Sequence, residues 1–249
     1  MLIHGFGVDH RIMLPLEETL RTAPGWRRLY LDLPWAEGAP ASDAASAQDV
    51  ADAVVTELQS TLGTEPFAVM GNSFGGMIAR HVAYRMADQL LGLGTLAAAF
   101  APVPDRVLPP RKVVQRSQDV LDAAGAARDE FEDMAVVQSP STFDAFAGYV
   151  LPGLTGAKRD VMDRISQNYT LDAEPETLAT SPLAVPTLHI SGRQDHVTGY
   201  DDGLALRDHY PRATYAVLDA AGHNLHLERP EVTAALVLDW LARMDAAAH

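Results

Sequence analysis

Short apolar runs alternate with longer amphipathic stretches through residues 1–99, and the same alternation resumes at residue 185. That rhythm belongs to a mostly parallel sheet flanked by helices, because parallel neighbours need a crossover and the crossover is normally a helix. Strands are predicted at Met1–Ile3, Arg28–Leu33 (RLYLDL, stopped by Pro34), Phe67–Met70, Leu91–Ala99, Val185–Ile190 and Ala213–Leu218. Between them, residues 43–62 set Val50, Val54, Val55, Leu58 and Leu62 at helical spacing. Further helices are expected over Phe74–Met86, near 200–210, and from about Pro230 to the end.

The alternation stops over residues 101–182, which hold only helix-like segments punctuated by prolines such as Pro104, Pro140 and Pro182. A stretch of that length is too long for a structureless loop, so it predicts a helical lid inserted into one α/β domain spanning 1–249. Its acidic run DEFED, 129–133, reads as the solvated face of a lid helix.

Charge and composition narrow the partners. Acidic residues number 33 against 19 basic ones, a net charge of −14. Such a chain lacks the basic face that nucleic acid requires, and it would be repelled by an anionic membrane surface. Without cysteine there is no disulfide framework, thiolate nucleophile or cysteine-based zinc site. The N-terminal MLIHGFG has neither the basic nor the apolar region of a signal peptide, and no apolar run approaches the roughly 18 residues of a membrane span. The expectation is a cytoplasmic protein acting on a small molecule.

Chemistry concentrates where Val69–Gly76 reads VMGNSFGG. Gly71-Asn72-Ser73-Phe74-Gly75 fits the G-x-S-x-G nucleophile elbow, with an apolar strand before it and a helical pattern after. The turn is so tight that the residues two before and two after the serine must lack side chains. The bland alternative is a glycine turn carrying a structural serine. A serine hydroxyl is a weak nucleophile unless a base, itself held by an acid, takes its proton. The order along such chains is serine, acid, histidine. SGRQDHV supplies Asp195 after one late strand and AAGHNLH supplies His223 after the next. All three then sit at C-terminal strand ends, the edge of an open α/β sheet where ligands bind.

HGFG at 4–7, DLP at 32–34, GNSFGG at 71–76, GRQDH at 192–196 and AGHNLHLERPE at 221–231 together resemble the α/β-hydrolase superfamily, over nearly all of the chain outside the lid. The resemblance implies the α/β-hydrolase fold with Ser73 as nucleophile, Asp195 as orienting acid and His223 as general base. It implies an oxyanion hole made by the backbone N–H groups of Phe74 and Phe6, and no metal or organic cofactor. His226 is the rival base, Asp219 the rival acid, and His223-x-x-His226-x-Glu228 a metal-like spacing without the helical frame of a known site. His196 reads as a loop residue, and His4 resembles the family's structural histidine. Asn72, Trp35 and Phe100 are expected to bind substrate; Phe6, Phe74, Phe143, Phe146, Tyr149 and Tyr169 are further candidates for the pocket wall.

The implied activity is hydrolysis of a small ester or lactone through an acyl-enzyme. GNSFGG also resembles the elbow of C–C hydrolases that cleave meta-cleavage diketones, but those relatives usually carry an aromatic directly after the histidine, where this chain has Asn224. Cofactor-free perhydrolase or haloperoxidase chemistry and a non-catalytic small-molecule receptor are the other readings. The chain begins almost on HGFG, where relatives carry one or two more strands. The expectation is a native start upstream of Met1, or else a shortened sheet whose exposed edge can pair with a second copy.

Overall fold

The computed structural model describes residues 1–247. Six parallel strands form one sheet in the order β2-β1-β3-β4-β5-β6. They are β1 (Leu2–Ile3), β2 (Tyr30–Leu31), β3 (Phe67–Asn72), β4 (Leu90–Leu96), β5 (Thr187–Gly192) and β6 (Ala213–Leu218). The helices in chain order begin with α1 (Glu17–Arg21), α2 (Ala47–Leu62) and α3 (Phe74–Arg85). Then follow α4 (Gln118–Ala123), α5 (Arg128–Met134), α6 (Pro140–Tyr149), α7 (Leu151–Gly156), α8 (Arg159–Ser166) and α9 (Pro175–Leu178). The chain closes with α10 (Asp201–Ala205), α11 (Leu225–Glu228) and α12 (Pro230–Ala247). Six helices, α4 to α9, thus lie between β4 and β5, where the alternation was seen to break.

The central strands are buried on both faces, their alternate side chains entering opposite layers, whereas the edge strands β2 and β6 are half-buried. Phe67 and Val69 of β3 join one apolar cluster with α2 and α3, while Ala68 and Met70 join another with α12 and α6. Local chemistry starts and stops the helices. Ser46 caps α2 by accepting the Asp49 N–H at 3.0 Å, Asp49 returns the favour to the Ala45 N–H at 2.9 Å, and Gly63 ends the helix at φ 56°.

β1 has β2 on one side and β3 on the other, so the strand that leads into HGFG is an interior one. The edge falls on β2, whose two paired residues offer little ladder to a second chain. A segment with no sequence-based assignment, His10–Leu16, forms a 3-10 helix leading into α1, and it packs under α6. Among the described residues, no helix is long and apolar enough to cross a membrane.

Candidate active site

β3 must turn directly into α3, and the glycines make that possible. A Cβ on Gly71 would lie 2.0 Å from the Gly75 carbonyl oxygen, and one on Gly75 would lie 2.3 Å from that of His4. A Cβ on Gly76 would lie 2.3 Å from the Ala98 methyl. Only hydrogen fits at each place. Ser73 at the apex sits at φ 54° and ψ −118°, a strained backbone held by its N–H to the Leu96 carbonyl at 2.9 Å. Its side chain caps nothing in α3 and is therefore free to face the cavity.

His223 meets that serine. Its Nε2 lies 2.9 Å from Ser73 Oγ, and its Nδ1 lies 3.0 Å from Asp195 Oδ2 and 3.2 Å from Oδ1. With Nδ1–H donating to the carboxylate, Nε2 is left to accept the serine proton. Asp195 is fully buried, and its Oδ1 also accepts the N–H groups of Val197 at 2.9 Å and Thr198 at 3.1 Å. Burial is the largest influence on this carboxyl and pushes its pKa up, but the His223 charge and the bonds from His223 and Thr198 outweigh it, so it lies below the usual range. The group is an ionised acceptor at neutral pH.

The HGFG loop closes the opposite side. A Cβ on Gly5 would be 3.2 Å from Ser73 Cβ, so this loop lies against the elbow itself. His4 holds it: Nδ1–H donates to the Gly5 carbonyl at 2.8 Å and Nε2 accepts the Leu33 N–H at 2.8 Å. Burial drives His4 down to about 4, so it is a neutral strut. Neither the Phe6 nor the Phe74 N–H finds an acceptor among the described residues. Two backbone donors beside Ser73 are thus unspent.

A cavity of about 290 Å³ opens on Ser73, His223 and Asn224. Its wall is mainly apolar, with Val8, Ile12, Phe146, Val150 and Leu154 prominent, and it carries no lysine or arginine. Two carboxylates of α5, Glu130 and Asp133, stand on its rim. Of the expected binding residues, Asn72 lines it, as do Phe6, Phe146 and Tyr169 among the candidate aromatics. Trp35 and Phe100 do not. Trp35 is fully buried, its indole N–H spent on the Val8 carbonyl at 2.9 Å and its ring behind Phe6 and Phe74. Phe100 leaves β4 for the other side of the sheet end, where the buried Arg80 guanidinium covers its ring at 4.8 Å. Phe74 also turns its ring away from the cavity into that aromatic packing, and Phe143 packs on Phe131.

The rival residues point elsewhere. His226 Nε2–H donates to the Ile12 carbonyl at 2.8 Å, and burial lowers it to about 4. Asp219 accepts from Gln194, which in turn accepts the Ala221 N–H. Among the described residues no three acidic or histidine side chains converge as metal ligands. Sequence reasoning missed the use made of Glu228. Its buried carboxylate accepts the N–H of Gly222 at 2.6 Å, beside His223, and those of Val136 at 2.7 Å and Val137 at 3.1 Å between α5 and α6. Equally missed was Arg80, wholly buried in α3 and bonded to Glu174 and Glu176 at the start of α9.

With this geometry in hand, the comparisons decide the family. The model of the alpha/beta hydrolase family matches residues 1–236. The chain belongs to that family. As an α/β-hydrolase enzyme it is similar to a pimeloyl-[acyl-carrier protein] methyl ester esterase of Neisseria meningitidis serogroup C, 26% identical over 96% of this chain and 92% of the relative. It is also similar to a 2-hydroxy-6-oxononadienedioate/2-hydroxy-6-oxononatrienedioate hydrolase of Pseudomonas putida, 26% identical over 88% of this chain and 78% of the relative. In fold it matches the crystal structure of an alpha/beta superfamily hydrolase from Oenococcus oeni PSU-1 with a TM-score of 0.86, at 22% identity over 97% of this chain and 91% of the other.

Proposed function

We propose that this α/β hydrolase cleaves small, uncharged carboxylic esters or lactones through a covalent acyl-enzyme. The observation that carries the reading is the unbroken chain from Asp195 through His223 to Ser73 Oγ, with contacts of 3.0 and 2.9 Å. Ser73 Oγ attacks the carbonyl carbon as His223 Nε2 takes its proton, and Asp195 steadies the imidazolium. The oxyanion is received by the free N–H groups of Phe6 and Phe74, each worth about 3 kcal/mol of barrier. His223 then protonates the leaving alkoxide, and water, deprotonated by the same nitrogen, releases the acid. The segment 101–182 serves as the lid over this chemistry, and the site of action is the cytoplasm.

The cavity's electrostatics favour a neutral substrate. Its lining carries no cation; at its rim the Asp133 carboxylate pairs with Arg111 at 3.1 Å, which leaves Glu130 as the uncompensated charge there. A dienedioate, the substrate named for the Pseudomonas putida relative, carries two carboxylates and would meet like charge here. The methyl ester in the name of the Neisseria relative is the closer chemical model. Ser73→Ala should abolish hydrolysis of p-nitrophenyl acetate and butyrate while leaving the melting temperature nearly unchanged, and a fluorophosphonate should label the wild type at Ser73. Substantial residual turnover in the variant would refute the nucleophile. A meta-cleavage diketone in the same panel tests the C–C alternative, whose signature would be faster cleavage of the diketone than of any ester.

A further inference from the structure

The 290 Å³ chamber at Ser73 is small, at the lower end of the roughly 300–1,000 Å³ typical of ligand pockets. Beside it lies a second, open cleft of about 900 Å³ that does not reach Ser73. The two spaces have two lining residues in common, Phe6 and Tyr169. Their rings meet edge to face at 5.1 Å between centroids. Phe6 is backed by Trp35 at 4.8 Å and Tyr169 by Phe74 at 5.2 Å. The wall between chamber and cleft is therefore a pair of aromatic rings.

The two halves of that wall differ in how they are held. Phe6 belongs to the loop pinned by His4, and its N–H has no acceptor among the described residues. Tyr169 comes from the lid's return segment between α8 and α9. That segment hangs on the start of α2 by the Ala47 N–H to the Asn168 carbonyl at 2.8 Å, and by the Asp172 N–H to Gln48 Oε1 at 3.3 Å. These bonds use backbone on the Tyr169 side, so the segment keeps its place when the ring is changed. What the ring supplies is bulk.

We propose that Tyr169 sets the acyl length this enzyme accepts: its ring closes the Ser73 chamber against the outer cleft, making the enzyme selective for short-chain acyl esters. The inference rests on the serine-esterase reading above. A short acyl group is satisfied within the apolar wall of Val8, Ile12 and Val150. A longer one either turns back toward water at the Glu130 and Asp133 rim or passes between Phe6 and Tyr169, and that second passage is closed. Removing the Tyr169 ring joins chamber to cleft and gives the chain a path.

The test compares kcat/KM for p-nitrophenyl butyrate and octanoate in the wild type, Tyr169→Phe and Tyr169→Ala. The wild type should favour butyrate by about tenfold or more, the scale on which apolar pockets discriminate by size. Tyr169→Phe, which keeps the ring, should hold that ratio. Tyr169→Ala should lower it about tenfold or more, chiefly through a smaller KM for octanoate. Tyr169→Leu keeps apolar contact with Phe6 and Phe74 but reaches less far; it should move the ratio in the same direction by less, and it serves should the alanine variant melt early. A ratio unchanged within twofold in both shortened variants, or a wild type that already prefers octanoate, overturns the role of Tyr169 alone. No ester turnover by the wild type, with Ser73 unlabelled by fluorophosphonate, overturns the esterase reading and this one with it.

Discussion

Replacing Glu228 by leucine should disable the enzyme without touching Ser73, His223 or Asp195. The carboxylate is 8% exposed and accepts three backbone N–H groups, from Gly222, Val136 and Val137. Burial, the largest influence, pushes its pKa above the usual carboxylate value, and the Asp195 charge adds to this against the three bonds. Glu228 itself is therefore no bargain: its charge is held less well than in water. Because the folded pKa is raised, the stability it lends is greatest at low pH and declines as pH rises through that value. The variant is costly for a different reason, since the three donors belong to the backbone and stay behind. Each buried N–H left unpaired costs about 1–3 kcal/mol, so leucine should destabilise by about 3–9 kcal/mol, less whatever entering water restores. Glutamine, whose amide can accept on one side only, should lose about 1–3 kcal/mol. Gly222 precedes His223 directly, so freeing it loosens the 2.9 Å contact with Ser73, and a displacement near 1 Å is worth about 10²-fold in rate. Urea melts give the first quantity. The rate of fluorophosphonate labelling at Ser73 gives the second without needing the natural substrate. A leucine variant within about 1 kcal/mol and twofold of the wild type would show that the clamp is idle.

His223→Ala should reduce ester hydrolysis by about 10³-fold or more, whereas His226→Ala, which loses the bond to the Ile12 carbonyl, should show mainly a stability loss of about 1 kcal/mol; kinetics with parallel melts distinguish the two, and the reverse ranking would move the base to His226. Gly75→Ala sets a methyl 2.3 Å from the His4 carbonyl oxygen and should leave Ser73 unlabelled even where some protein folds. Buried His4 and His226 have folded pKa values of about 4 against the ordinary 6.5, so the stability they hold is complete above pH 6.5 and is lost as pH falls toward 4. Each should remove about 2 kcal/mol by pH 5, read as a falling melting temperature, and His226→Gln should flatten that fall; a melting temperature flat from pH 7 to 5 would contradict it.

What could be read from the sequence, and what could not, divides along a physical line. The strands and the elbow were legible because their constraints are local. Phe67–Met70 is an unbroken apolar run, as a strand covered on both faces requires, and glycines stand where Gly71 and Gly75 have no room for a Cβ. Asp195 and His223 follow the ends of β5 and β6, so the strand register delivers them to Ser73 once the sheet is parallel. The pocket wall had no such guide. Trp35 and Phe100 also follow strand ends, yet one is drawn under the HGFG loop by its indole donor and the other to Arg80, and neither partner is signalled nearby in the chain. Arg80 meets Glu176 across 96 residues, and Glu228 meets Val136 across 92. Those long-range bonds hold the helical segment between β4 and β5 at two places remote from each other in sequence, the Val136–Val137 backbone and Glu174–Glu176. Between the two anchors α6 and α7 supply Phe146, Val150 at their junction and Leu154 to the apolar cavity wall while contributing no bond to the Asp195–His223–Ser73 chain. Substitutions in these helices can therefore reshape what the enzyme binds while the chemistry stays in place, and substitutions at the anchors cannot.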